Sequence, residues 1–116
     1  MKNSTFNYVR TQRQRHALSE EELALLINQR AKSSVALIES GDRLPTLESA
    51  FALQVVFGVE LKQLFPDYYE AVEDGVMRRA SLLHERLEGK ADIRSQAKRE
   101  LLEAMAQRHE ISFDGT

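Results

Sequence analysis

Few side chains in this sequence could do covalent chemistry, and those few are dispersed. No cysteine occurs among the 116 residues, which removes thiolate nucleophiles, disulfides and thiolate metal sites. The three histidines, His16, His84 and His109, show no metal-ligand spacing. His84 and Glu88 stand four apart, the spacing of an ordinary helical surface pair. There is no glycine-rich phosphate loop and no nucleophile paired with a base. Catalysis, a metal and a cofactor are therefore not expected. The chemistry on offer is electrostatic. Lys2, Arg10, Arg13 and Arg15 lie in the first 17 residues with no acid among them, whereas acids outnumber bases in the remainder and the net charge is −2. A basic arm on a mildly acidic body places positive charge where a phosphate backbone could lie. A solvated basic helix is the plainer alternative.

The element that would give such an arm a purpose runs from Leu18 to Gly41, LSEEELALLINQRAKSSVALIESG. Leu18, Leu23, Ala24 and Ile27 fall at helical spacing, Asn28-Gln29-Arg30 interrupts, and Val35 and Ile38 resume the pattern. Ser19 and Glu22 make a capping box, with Leu18 and Leu23 placed for a hydrophobic staple. Gly41 suits the left-handed residue that closes a helix. Two short helices about a tight turn predict a helix-turn-helix.

Leu18-Ser19-x-Glu21-Glu22-Leu23-Ala24, Ser33-Ser34-Val35-x-x-Ile38-Glu39-x-Gly41 and Leu44-Pro45-Thr46-Leu47 resemble the Cro/phage-repressor (xenobiotic-response-element type) helix-turn-helix family. The pattern continues through Ala52-Leu53 and Phe57-Gly58-Val59-Glu60-Leu61-x-x-Leu64-Phe65, so the resemblance covers residues 6–65. The turn is one residue longer than the family's usual form. The resemblance implies that the second helix enters the major groove of double-stranded DNA while the first crosses the backbone. Carried over position by position, the base-reading set is Lys32, Ser33, Ser34 and Ala36. Lys32 can donate to the guanine edge, the serines can bond to base or phosphate, and Ala36 can touch only a thymine methyl. Arg10, Arg13, Arg15, Arg30 and Arg43 form the phosphate-binding set, each adding to the salt dependence. Leu37 is apolar where many relatives are polar, which suits a core or interface position. Glu20 stands where relatives often carry glutamine. It reads as a first-turn acid favoured by the helix dipole, or as an acceptor for cytosine N4.

The rest of the chain reads in order. Residues 1–5 are polar and are expected to fray. Phe6 to His16 should form the first helix, with Phe6 and Val9 apolar. After the loop Gly41–Pro45, Thr46 offers an N-cap for a helix over 47–57. Its residues Leu47, Phe51, Val55, Ala50, Leu53 and Phe57 make a wide apolar face expected to lie in the core. Glu60–Phe65 should form a fifth helix that Pro66 ends. Asp67 can cap a long helix to about Glu88, with Tyr69, Val72, Val76, Ala80, Leu83 and Leu87 as its apolar stripe. A turn at 89–92 leads to a last helix from Ile93 to about Arg108, capped by Asp92, with Ile93, Ala97, Leu101 and Met105 in line and Leu102 beside them.

The expected fold is all-α. Residues 1–66 form a five-helix, repressor-like DNA-binding domain, and residues 67–116 form a C-terminal helical hairpin for packing or dimerisation. The expected function is sequence-specific DNA binding in transcriptional regulation, most simply repression, by a homodimer on double-stranded DNA. No stretch approaches a membrane span and no signal segment opens the chain, so a cytoplasmic protein is expected. The alternative is the same fold used as a protein-interaction module, such as an antitoxin or adaptor.

Overall fold

The computed structural model describes residues 6–111 and 113. Lys2 and the expected fraying of residues 1–5 lie outside them. Seven helices form among the described residues: α1 (Val9–Arg15), α2 (Glu20–Leu26), α3 (Lys32–Ser40), α4 (Leu47–Phe57), α5 (Leu61–Leu64), α6 (Pro66–Arg86) and α7 (Ile93–Arg108). The contacts divide the chain into two compact units, one ending at Glu70 and one beginning at Ala71.

Local chemistry sets each helix of the first unit. The start of α2 is the expected capping box: the Ser19 amide donates to Glu22 Oε1 at 2.8 Å and the Glu22 amide donates to Ser19 Oγ at 3.0 Å. Its end is a left-handed residue, Asn28 at φ 60°. There the Gln29 amide donates to the Ala24 carbonyl at 2.7 Å and the Asn28 amide to the Leu25 carbonyl at 3.2 Å. That pair of bonds satisfies carbonyls a helix end leaves open. Gly41 closes α3 at φ 82°, where a Cβ would be penalised. α1 is shorter than the expected 6–16, because the buried Asn7 turns back to accept from the Val9 amide and to donate to the Ile38 carbonyl at 2.8 Å.

The apolar positions of α2 and α3 meet in one core. Val9, Leu23, Ala24, Ile27, Val35, Ile38, Leu53, Leu64 and Phe65 are buried together. Each aliphatic side chain withdrawn from water there contributes about 1.5–3 kcal/mol. Two expectations fail here. Of the wide face of α4, only Leu53 is fully inside, with Ala52, Val56 and Phe57 packed on the core. Leu47, Phe51 and Val55 point out, leaving 70%, 54% and 83% of their surfaces exposed. A helix this short offers one side to a core already filled by α2, α3 and α5. α5 ends before Pro66 as expected, and Pro66 also begins α6, since the first helical position needs no amide donor. Asp67 therefore sits in the first turn of α6 and does not cap it.

The second unit holds most of α6, the turn at Gly89 (φ 78°) and α7. Asp92 caps α7 by accepting from the Ser95 amide at 3.1 Å and its hydroxyl at 2.7 Å. The apolar cluster is small: Ala80, Leu87 and Leu102 are buried, with Met105 and Phe113 against them. Polar clasps supplement it. His84 Nε2 lies 3.3 Å from Glu103, His109 Nδ1 bonds Glu73, and Arg99 donates to the Leu87 carbonyl at 2.9 Å. His84 thus pairs across the hairpin with Glu103, and Glu88 lies beyond the end of α6. Of the apolar stripes read from the sequence, Ile93 and Leu101 of α7 and Val72, Val76 and Leu83 of α6 are exposed.

Candidate nucleic-acid interface

The exposed side of α3 is built from its first turn onward. Asn28 ends α2, residues 27–31 turn the chain, and Ala31 enters α3 in an extended conformation without a side-chain cap. Gln29 anchors the turn, its Nε2 donating to Ser49 Oγ of α4 at 2.9 Å. Lys32 and Ser33 are exposed, and Ser34, Ala36 and Leu37 are half-buried. Val35, Ile38 and Glu39 form the buried side of the same helix. The four residues expected to read bases thus lie on one short helix in contact with α2.

Acids stand close to this face. Glu20, Glu21 and Glu22 fill the first turn of α2, and Glu21 Oε1 lies 4.0 Å from Lys32 Nζ, both side chains being well exposed. The amide and hydroxyl of Ser19 hold the Glu22 carboxyl below the usual glutamate range. Carboxylates at a helix N-terminus are stabilised by its dipole, so this turn has a sufficient local reason to be acidic.

The five expected phosphate-binding arginines separate into two groups. Arg15, Arg30 and Arg43 are exposed, at the end of α1, in the α2–α3 turn and in the loop after α3. Arg10 and Arg13 instead converge on Glu39, whose side chain is fully buried. Arg13 Nε and Nη2 donate to the two Glu39 oxygens at 2.6 and 3.1 Å, and its Nη1 donates to the Leu18 carbonyl at 3.0 Å. Arg10 Nε adds a 3.2 Å bond from a half-exposed position. Hydrogen bonding to Glu39 raises the Arg13 guanidinium above its ordinary value, against the opposing effect of burial. The structure thus engages Arg13 within the domain. Its donors are consumed in a fork that joins α1 to the C-terminal turn of α3, and its side chain is 12% exposed. Arg13 positions the helix and does not present a charge to solvent.

Sequence reasoning missed Glu39 and Asn7 as the residues that orient α3. The signal for Glu39 was present: it stands four residues after Val35, directly along the buried face. A carboxylate there requires a cation, and the basic α1 supplies two.

Among the described residues no group of three or more histidines, cysteines or acids could hold a metal ion, and no helix is long and apolar enough to cross a membrane. In comparison with known families, the profile described as Helix-turn-helix matches residues 9–64. Comparison with curated proteins and with solved structures returns no match.

Proposed function

Since residues 9–64 are a DNA-binding helix-turn-helix domain of the Cro/phage-repressor type, we propose that the protein is a sequence-specific transcriptional regulator that represses by occupying an operator. The observation that carries this reading is the construction of α3. Its N-terminal and solvent sides are open, while its other side is fixed by the Val35 and Ile38 packing and by the Arg13–Glu39 fork. A rigid helix with one free polar side can enter a major groove without deforming the domain.

In this reading Lys32 donates to a guanine edge, Ser33 and Ser34 bond to base or phosphate, and Ala36 meets a thymine methyl. Arg15, Arg30 and Arg43 contact phosphates, with Arg10 joining them from its half-exposed position. Two copies occupy two half-sites, placing their α3 helices about 34 Å apart. The acid turn Glu20–Glu22, with Glu21 drawing on Lys32, favours a second reading in which the same face binds a basic protein segment.

Selection of bound fragments from sheared genomic DNA, at low and at moderate salt, separates the two. Enrichment of one motif with paired half-sites supports the regulator. Unselective recovery lost at moderate salt would mean that phosphates are bound and no base is read. No recovery at either salt would favour the protein-binding reading.

A further inference from the structure

Between the chain entering α1 and the last turn of α3 lies a cleft of about 420 Å³, lined by Phe6, Asn7, Arg10, Thr11, Glu39 and Ser40. Small-molecule sites span roughly 300–1,000 Å³, so the cleft is large enough to be one. Its two buried lining residues are those that orient α3. The Asn7 side chain bonds the Val9 amide and the Ile38 carbonyl, and Glu39 accepts from Arg13 and Arg10. We infer that the cleft binds a small organic acid carrying a ring, with its carboxylate on Arg10 and its ring against Phe6.

Charge selects an anion. Arg13 takes up the Glu39 carboxylate with two donors, which leaves the charge of Arg10 in excess at the lining. Arg10 donates to Glu39 through Nε alone, and its side chain is half exposed. Its two terminal nitrogens, which bond nothing among the described residues, form the edge of a planar fork that takes a carboxylate bidentately. The exposed Thr11 hydroxyl is a further donor. The Ser40 hydroxyl is not, since it serves the Leu37 carbonyl and Asp42, and Asp42 stands outside the lining.

Shape selects a ring. Phe6 lines the cleft yet leaves 54% of its surface exposed, and its ring meets the Tyr8 ring edge-on at 4.8 Å. A ring held in this way can take a second ring, stacked or edge-on. A neutral aryl compound leaves the guanidinium unpartnered, and acetate leaves Phe6 uncovered. Because Arg10 belongs to both the cleft and the Glu39 fork, a bound acid would also draw Arg10 away from a phosphate. That bearing on DNA rests on the function proposed above; the binding itself does not.

Two-dimensional NMR of the full-length chain, without DNA, tests the site with 1-naphthoate as the probe. The amides of Asn7, Arg10, Thr11 and Ser40 should shift saturably, and those of α7 should stay in place. 1-Naphthamide, which lacks the charge, should bind roughly ten-fold more weakly or worse. Acetate, which lacks the ring, should bind roughly three-fold more weakly or worse. Arg10→Gln and Phe6→Leu should weaken 1-naphthoate by those same two factors, with unchanged circular dichroism spectra. Arg78→Gln, at an exposed arginine of α6, should bind as the parent does. Should Arg10→Gln fail to fold, Phe6→Leu and the two probe comparisons decide. Shifts that never saturate or that centre elsewhere would overturn the proposal. So would equal binding of 1-naphthamide or acetate, folded Arg10→Gln or Phe6→Leu variants that bind as the parent does, or an equal loss in Arg78→Gln. Since no DNA is present, failure here leaves base reading unaffected, and failure of operator selection leaves the cleft unaffected.

Discussion

Replacing Glu39 by leucine should be among the most damaging single changes in the first unit, and replacing Arg13 together with it should be far milder. Glu39 is fully buried and accepts three hydrogen bonds, two from Arg13 and one from Arg10. Glu39→Leu removes that acceptor and leaves the nearly buried Arg13 with only the Leu18 carbonyl. Removing one partner of a buried ion pair costs about 3–5 kcal/mol, because the other charge stays desolvated. Arg13→Met leaves the Glu39 carboxylate with Arg10 alone and should fall at the lower end of that range. Arg10→Ala should cost less than about 1 kcal/mol, since its side chain is 56% exposed and its contribution is that of a surface pair. The double variant Arg13→Met/Glu39→Leu buries no unpaired charge and should cost about 0–2 kcal/mol, as apolar replacements of whole buried pairs do. Urea denaturation of the four variants measures all of this. The coupling between positions 13 and 39 should be about 3 kcal/mol or more. Strict additivity of the two single changes, or a Glu39→Leu cost below about 1 kcal/mol, would refute the claim that this fork fixes α3.

Three further outcomes are expected. Lys32→Ala should relax preference at one base pair by about 1–3 kcal/mol, read by competition between operator variants. Were every sequence bound as by the parent, Lys32 would not be a base reader. Arg43→Ala should weaken all sequences alike and reduce the slope of log K against log salt by about 0.9, which a salt titration of operator affinity measures. An unchanged slope would remove Arg43 from the phosphate set. Asp92 is held below the ordinary aspartate range, chiefly by the Ser95 hydroxyl and then its amide. A lowered carboxylate contributes stability above its unfolded pKa and loses it as pH falls through the folded value. Asp92→Asn should therefore make α7 less sensitive to acid, with the gap to the parent closing at low pH. Amide exchange at the start of α7, followed from neutral to acid pH, is the measurement.

The parts legible in the sequence were those governed by short-range chemistry. Ser19 and Glu22, Asn28, Gly41, Thr46 and Asp92 each bring their own hydrogen bonds or backbone preference, so helix ends could be placed from neighbours within a few residues. The break at Asn28 was read from the interruption of the apolar pattern, and the structure supplies its cause: asparagine tolerates the left-handed conformation that closes α2. The parts that were not legible depend on which side of a helix finds room. α4 and α7 carry apolar residues around much of their circumference. Periodicity then names a helix without naming its buried side. In α4 the core took Leu53 and left Leu47, Phe51 and Val55 outside; in α7 it took Leu102 and Ala106 and left Ile93 and Leu101.

The candidate interface divides along the same line. Residue type marked the arginines as available charge, yet type alone could not distinguish Arg13 from Arg15, two positions apart in α1. The distinction is made by a residue 26 positions away from Arg13. Two positions along a helix turn a side chain about 200°, so one arginine faces the Glu39 carboxylate and the other faces water. The charge at Arg13 is engaged inside the domain, with Glu39 and the Leu18 carbonyl. It holds α3 in the orientation from which Lys32 and Ser33 project, and Lys at position 13 could not replace its three-way fork to both Glu39 oxygens and the Leu18 carbonyl. Arg13→Lys should accordingly keep the positive charge yet lose stability, and that loss should appear in denaturation before any DNA is added. An Arg13→Lys variant as stable as the parent would return Arg13 to the set of ordinary surface charges.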